Sequence, residues 1–487
     1  MKFDFTKPAP QSNNLPEANR IIKRLWKLCA GSKKLKDKVE SQNEKLNTNS
    51  NNSSLPPSRD NQSKSRKKRK KKSTRKQGAQ LGHAANKREL LPASKVDKVE
   101  KIYPEKQCPC SGIVHMRDEF RRHQTYELPV IKPFVTEYQM ISGECALCGM
   151  VYWASLPSGV PKGMFAPRAI AMISTLTGSY RMSKRNVVGL FEDVYNLNIC
   201  VGSVINAEKI ASNALKEPVD ETKKFVKDAD GVEVHADETG HKEKGKKMWA
   251  WVAVTMLVAV FIIRGSRGAK SAKELLGDKF KGILNSDRWN GYSWVSTTRR
   301  QLCWAHLKRD FQKIAERCGV SKIIGEKLLS YERNMFTYWR KVKAGEKTKK
   351  EFQLYMKRIR REVELLLVRG TKCRNSKTAG TCRHILSLKD ALWTFVDCDS
   401  VDPTNNTAEQ VIRTHVIWRK VCFGTQSASG TLYMERILTA VGSCKLQKRN
   451  VLDFITHAVE NYFSGKRSPS LIPEKYNVRP KDMKKAA

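Results

Sequence analysis

The sequence predicts an α/β fold: a strand-rich core with an all-helical insertion, preceded by a small cysteine module and a basic N-terminal arm that opens on a coiled-coil-like segment. Three observations predict it. Past Asp230 the texture turns to short β-rich runs, VEVHA, WAWVAVT, LVAVFIIR and GILNS, broken by a helix around Ala272 to Phe280. From Cys303 to about Asp397 it changes to long, charged, helical periods such as EKLLSYERNMFTYWRKVKAG and EFQLYMKRIRREVELLL. One more helix, around Glu409, follows, so strands and helices alternate as a layered α/β core requires.

At 487 residues the chain is long enough for two or three domains with full cores. Its formal net charge of +44 and pI near 9.9 point to a polyanionic partner, nucleic acid first. An anionic membrane surface is the rival, but nothing resembles an anchor. MKFDFTKPAPQ lacks the apolar core of a signal peptide, and the longest apolar run, Trp249 to Ile263, is shorter than the roughly 20 residues of a spanning helix. Its Val, Ile and Phe content reads as two adjacent strands. Thirteen cysteines without a secretion signal favour a reducing compartment, where clustered cysteines serve as metal ligands.

Taken in order, residues 1–47 form a helical segment. Ile21, Leu25, Leu28, Leu35, Val39 and Leu46 fall on alternating four- and three-residue steps, with Ser32 and Gln42 interrupting the seam. The pattern fits a short coiled coil or a single amphipathic helix docked on the body. Residues 48–100 read as a linker with a basic block, SKSRKKRKKKSTRK, in which Lys67, Lys68, Arg69 and Lys70 are candidate phosphate contacts. Residues 101–158 hold the cysteine module. Residues 160–225 read as helices whose spacing resembles helix–turn–helix, with Ser203 near the start of the second; a plain packing pair gives the same spacing. Residues 229–425 carry the strands and the insertion (about 306–400), and 426–487 a C-terminal helical region and basic tail.

In the module, Cys108 and Cys110 form a CxC pair and Cys145 and Cys148 a CxxC pair 35 residues further on. Two close pairs suit a tetrahedral Zn2+–thiolate site of structural type, with His115 and His123 as reserve ligands.

Three acidic residues sit at the edges of apolar or turn-forming segments: Asp237 in VHADETG, Asp287 in LNSDRWNGY and Glu409 in PTNNTAEQVIR. Asp237 and Asp287 each close a strand-like run, and neighbouring strands would bring them to one edge of a sheet. Hard Mg2+ or Mn2+ takes oxygen ligands and leaves positions open for phosphate and water. Two such ions would clamp the attacking and leaving oxygens of an in-line displacement. Taken singly, each residue has a plainer reading. Glu409 fits a capping box or an i,i+4 pair with Arg413, and both aspartates fit turns. Glu238, Asp310 and Asp402 are further candidates.

The ordered set HADETG, SDRWNGY, CWAHLKRDF and NNTAEQVIRTHVIWRKVCFGT resembles transposases of the insertion sequence 66 family. So do NSNNSSLPPSRD, GAQLGH and the paired cysteines, and the resemblance runs from about Asn47 to Phe463. It implies a ribonuclease-H-like core and an Asp-Asp-Glu (DDE) triad at Asp237, Asp287 and Glu409, with two Mg2+ or Mn2+ ions. It implies a DNA transposase that binds its element's terminal inverted repeats, hydrolyses a strand at each end and joins the freed 3′-hydroxyl to target DNA. Homo-oligomers on paired ends, accessory proteins encoded by the element, no membrane, and a bacterial cytoplasmic, nucleoid-associated location go with that role.

Two positions depart from the family pattern. Gln410 stands where an arginine is usual, leaving Arg413, Arg419 and Lys420 to supply positive charge, and His241 stands where an aromatic residue is frequent. Cys303 and His306 form a CxxH element, read as a buried strand end with a hydrogen-bonded histidine rather than as a metal site; His306 is also a candidate to order the acidic site from behind. Trp289, Trp294 and Trp304 are expected in the core, with stacking on distorted bases as the alternative. The rival functions are a nuclease on the same fold that cuts without joining, and a DNA-binding regulator or inactive transposase relic.

Overall fold

A computed structural model describes residues 16–53, 89–106, 109 and 111–473. Lys67, Lys68, Arg69, Lys70, Cys108 and Cys110 lie outside the described residues. Helix α1 (Pro16–Leu46) opens on proline, where the missing N–H costs no helical hydrogen bond. Between residues 111 and 158 the regular structure is one small hairpin, β1 (Ser142–Glu144) with β2 (Val151–Trp153), paired Ser142 to Trp153. The strand-like stretches expected before it form no regular strand among the described residues. Many of their apolar side chains are exposed, Phe134 at 95%. A segment this short builds no core of its own without a metal or a partner.

Helices α2 (Pro167–Gly178), α3 (Lys184–Tyr195), α4 (Val201–Ala214) and α5 (Lys216–Lys227) follow. Ser183 caps α3 by accepting from the N–H of Asn186. The α3–α4 pair with helix–turn–helix spacing is built into a larger bundle, where Val204, Ala207 and Ala211 bury one side of α4.

Next come β3 (Asp230–Glu243), β4 (Lys246–Val254), β5 (Ala259–Arg264), α6 (Ala269–Leu276), β6 (Lys281–Ser286) and β7 (Arg300–Leu302). They form one sheet in the order β5-β4-β3-β6-β7, antiparallel across β5-β4-β3 and parallel across β3-β6-β7. The run from Trp249 to Ile263 is the β4–β5 hairpin, apolar throughout because helices cover both faces. On β4, Ala250, Val252 and Val254 face the helical bundle, while Trp251 and Ala253 face α6 and Tyr292. The fifth strand, β7, escapes sequence reading because Arg300 and Gln301 look like loop residues; both are buried.

The insertion comprises α7 (Trp304–Ala315), α8 (Val320–Lys343), α9 (Lys349–Thr371), α10 (Ser376–Ser387) and the short α11 (Thr394–Asp397), around a core of its own. Helix α12 (Asn406–Cys422) then returns across β3 and β4, and α13 (Ala428–Leu446) and α14 (Val451–Phe463) rejoin the bundle with α2 and α4. Helix α13 also covers the edge of the sheet. Glu435, Thr439 and Ser443, four residues apart, accept from the N–H groups of Ile263, Phe261 and Ala259 on β5. Donors that would otherwise recruit another strand are thereby satisfied. No described helix is long and apolar enough to cross a membrane.

Candidate active site

Asp237 and Asp287 owe their proximity to parallel pairing. His235 on β3 is in register with Asn285 on β6, and each aspartate lies two residues further along its own chain. Asp287 falls just past the end of β6, where its Oδ1 accepts from the N–H of Trp289 at 2.8 Å. Asp237 Oδ1 accepts from the N–H of Glu238 at 2.9 Å.

Glu409 reaches the same place from the first turn of α12. Neither plainer reading of Glu409 describes it. Asn405, at the helix start, makes no side-chain cap, and Glu409 Oε1 is buried with no hydrogen-bond partner. Its near neighbour is His306 Nδ1 at 3.6 Å, also buried and unpartnered.

Asp237 feels the other two carboxylates. Burial pushes the Asp237 carboxyl well above the usual range; the charges of Glu238 and Asp287 push it further, and that of Glu409 adds to them. Glu238, the rival of Asp237, is already engaged: Arg267 donates to Oε1 at 2.9 and 2.6 Å, and the Tyr292 hydroxyl donates to Oε2 at 2.8 Å. Asp310 is held by Arg288 at 3.0 and 2.6 Å, and Asp402 pairs with Lys343 at 3.7 Å. Asp237, Asp287 and Glu409 thus form an anionic corner with orphaned oxygen at Glu409. Such a donor set suits a hard divalent cation, which would relieve the crowding.

The polar scaffold behind this corner is invisible in the sequence. Glu233 on β3 accepts from Asn285 Nδ2 at 2.9 Å and from the N–H of Asp402 at 3.0 Å, and lies 3.2 Å from His235 Nε2. Asn405 Nδ2 donates to the carbonyl of Ala236 at 2.8 Å, fixing the start of α12 on β3. Cys303 completes the clamp by accepting from the N–H of Asn405 at 3.1 Å. Its buried thiol is pushed up to about 11, so it acts here as a neutral hydrogen-bond acceptor. Cys303, His306 and Glu409 nevertheless present ligand atoms within 4.8 Å of one another, as do Glu233, His235 and Asp402.

The proposed basic contacts divide. Arg413 and Lys420 are exposed. Arg419 is half-buried and donates from Nη1 to the carbonyl of Gly240, so it ties α12 to β3. His241 fills its aromatic position by lying against the Trp418 ring, 6.2 Å between centroids and 16° between planes. Trp304 is fully buried; Trp289 and Trp294 are partly buried, and Trp289 covers the Arg267 guanidinium at 4.0 Å.

In the cysteine module, Cys145 and Cys148 occupy the β1–β2 turn, where the N–H of Cys145 donates to Met150 and that of Gly149 to Cys145. Hydrogen bonds from the backbone of Cys148 and Leu147 and from the Cys148 side chain hold the Cys145 thiol below its usual range. That favours a thiolate, the form that binds metal.

The sequence of this chain is similar to known transposases. Residues 162–432 match the Transposase IS66 family, and the chain belongs to that family. Residues 7–89 match a family of unknown function, DUF6444. An uncharacterized protein, y4qI of Sinorhizobium fredii (strain NBRC 101917 / NGR234), is 24% identical over 272 residues, 48% of this chain and 49% of that protein. The chain therefore spans about half the length of that curated relative.

Proposed function

We propose that the chain is a DDE-type DNA transposase in which Asp237, Asp287 and Glu409 hold two Mg2+ or Mn2+ ions. The observation that carries this reading is the convergence of three carboxylates from β3, β6 and α12, with Asp237 raised by its neighbours and Glu409 Oε1 left without a partner. A sheet of three antiparallel strands continued by two parallel ones supports a ribonuclease-H-like core. When bound, the ions would activate water or a 3′-hydroxyl and stabilise the departing oxygen.

The protein's own part is positional. Asp237 and Asp287 are fixed by backbone N–H donors, and Glu409 by the Asn405–Cys303 clamp on its helix. His306 orients Glu409 from behind. Arg267 and Tyr292 keep Glu238 turned away, so the neighbouring carboxylate does not compete for metal. Cys145 and Cys148, with Cys108 and Cys110, bind structural Zn2+, and the basic arm with Arg413 and Lys420 contacts DNA phosphates at terminal repeats and target. The exposed seam of α1 supports pairing of two copies on two DNA ends.

Asp287→Ala tests the reading. Strand cleavage of plasmid bearing the element ends should disappear while DNA binding and thermal stability persist; retained cleavage overturns the triad. Pre-cut ends with a free 3′-hydroxyl should be joined to target DNA by the unaltered chain, and cleavage with no joining would leave a nuclease.

A further inference from the structure

The segment 47–53, which follows α1, lies beside the carboxylate corner. Asn52 and Ser53 line a cleft of about 190 Å³ with Asp287, His306, Arg309 and Lys313. The cleft adjoins a larger cavity of about 630 Å³, since Asn52 and Lys313 line both; the larger one is also bordered by Asn47, Arg317 and Lys377. A trough therefore leads away from Asp287, with the N-terminal segment as one wall and α7 as the other.

The N-terminal wall is anchored. Asn52, only 3% exposed, donates from Nδ2 to Glu316 Oε2 at 2.6 Å and to the carbonyl of Asn47 at 2.9 Å, and its Oδ1 accepts from the N–H of Asn49 at 2.8 Å. Just upstream, Glu44 pairs with Arg317 at 3.0 Å and with Lys377.

Along the opposite wall, His306, Arg309 and Lys313 are spaced three and four residues apart, on one face of α7. The cations bordering the trough are not equivalent. Arg288 is held by Asp310 and His384, and Arg317 by Glu44 and Thr378. Arg309 and Lys313 have no partner among the described residues, although Arg309 is half-buried. Four residues of helix separate them by about 6 Å of rise, close to the roughly 7 Å of two base steps along a DNA strand. Two free cations at that spacing, on a track ending at carboxylates, suit a chain of phosphates better than a single anion.

We propose that this trough is the subsite for the DNA backbone flanking the scissile phosphate. Arg309 and Lys313 hold phosphates two base steps apart on one strand, and segment 47–53 forms the facing wall. The proposal rests on the transposase reading and extends it by assigning the strand's path and two residues that grip it.

The test uses the full-length chain carrying Arg309→Gln and Lys313→Gln singly and together, beside the unaltered protein and Asp287→Asn. Binding of a fluorescent random-sequence duplex is followed by anisotropy across a range of KCl, and nicking of supercoiled plasmid is followed with Mn2+. Each phosphate contact contributes about 0.9 to the slope of log K against log salt. The double variant should therefore show a slope shallower by about 1.8, each single about half of that, with melting temperature unchanged. Nicking by the double variant should fall roughly tenfold at subsaturating DNA, mostly through a higher KM. A double-variant slope within 0.5 of the unaltered protein, or a nicking loss lying wholly in kcat, overturns the proposal. Asp287→Asn should keep the slope and lose nicking. If it nicks, the catalytic reading fails while the slope comparison still decides the trough.

Discussion

At the scale of single residues, the acidic corner is an arrangement with a deficit of positive charge. Asp237 is raised well above its usual range by burial and by neighbouring carboxylates. A carboxyl whose folded pKa exceeds its unfolded value of about 3.9 stabilises the fold below that value, and loses the contribution as pH rises through the folded pKa. Metal-free protein should therefore lose stability as the site ionises, and divalent ions should restore it. Asp237→Asn in EDTA should melt higher than the unaltered chain by about 2 °C or more, and should lose the further rise that Mg2+ gives the unaltered chain. Thermal denaturation with EDTA and with Mg2+ checks both; a lower melting temperature in EDTA would contradict the crowding argument. These acidic residues were legible in sequence because each bounds an apolar or turn-forming run in a basic chain. Their supports were not legible. Glu238 meets Arg267 at a separation of 29 residues and Tyr292 at 54, distances over which one sequence gives no pairing signal. His241 was visible only as a departure, with nothing to show that His415 would meet it 3.1 Å away.

At the scale of elements, two junctions hold the machinery together. The first joins β3 to α12. His241 Nδ1 faces His415 Nε2, and His241 Nε2 faces Thr425 at 3.0 Å, so one neutral ring donates to the other. Burial lowers His241 to about 4, with Glu243 opposing and Arg419 adding to the shift, and burial with His241 and Arg419 lowers His415 to about 3. A base with a depressed folded pKa contributes stability that is present above its unfolded value of about 6.5 and lost as pH falls through the folded one. Denaturation midpoints should decline from about pH 6.5 downwards, by up to about 1.4 kcal/mol per unit for each histidine. His415→Phe should flatten that profile; an unchanged slope would remove the pair as its cause. The second junction is Glu44, whose ion pairs to Arg317 and Lys377 dock the end of α1 on the insertion. Glu44→Ala should speed tryptic cutting after Lys45 by roughly fivefold, the effect of about 1 kcal/mol on local opening, while the β-sheet core stays protected. Equal cutting rates would show that other bonds hold the segment. Long periodic helices and the β4–β5 hairpin were readable because local pattern dictates them. Strand β7 and the docking of segment 47–53 were not, since both depend on side chains brought from distant elements.

At the scale of the whole molecule, α1 carries an unsatisfied apolar surface. Leu28 and Leu35 are each 64% exposed, and Leu25, Val39 and Leu46 are exposed as well. They belong to the seam of four- and three-residue steps in the sequence, so the helix docks through Glu44 at its end and leaves its apolar stripe to solvent. A 31-residue helix is about 46 Å long at 1.5 Å per residue, and an isolated amphipathic helix draws most of its stability from a partner for that stripe. In a coiled coil along this seam, Ser32 and Gln42 would weaken the interface but restrict its register, as polar core positions do. On the proposed transposase reading, a second copy of α1 would satisfy both the period and the pairing of two DNA ends. Leu28→Glu with Leu35→Glu places two charges per chain in that seam. Sedimentation should show the unaltered chain as a dimer and the double variant as a monomer, with binding to a single DNA end retained and products that require two ends lost. A monomer for both proteins, or a dimer for both, would remove self-pairing through α1. Paired-end products from a monomeric variant would show that DNA alone brings the two active sites together.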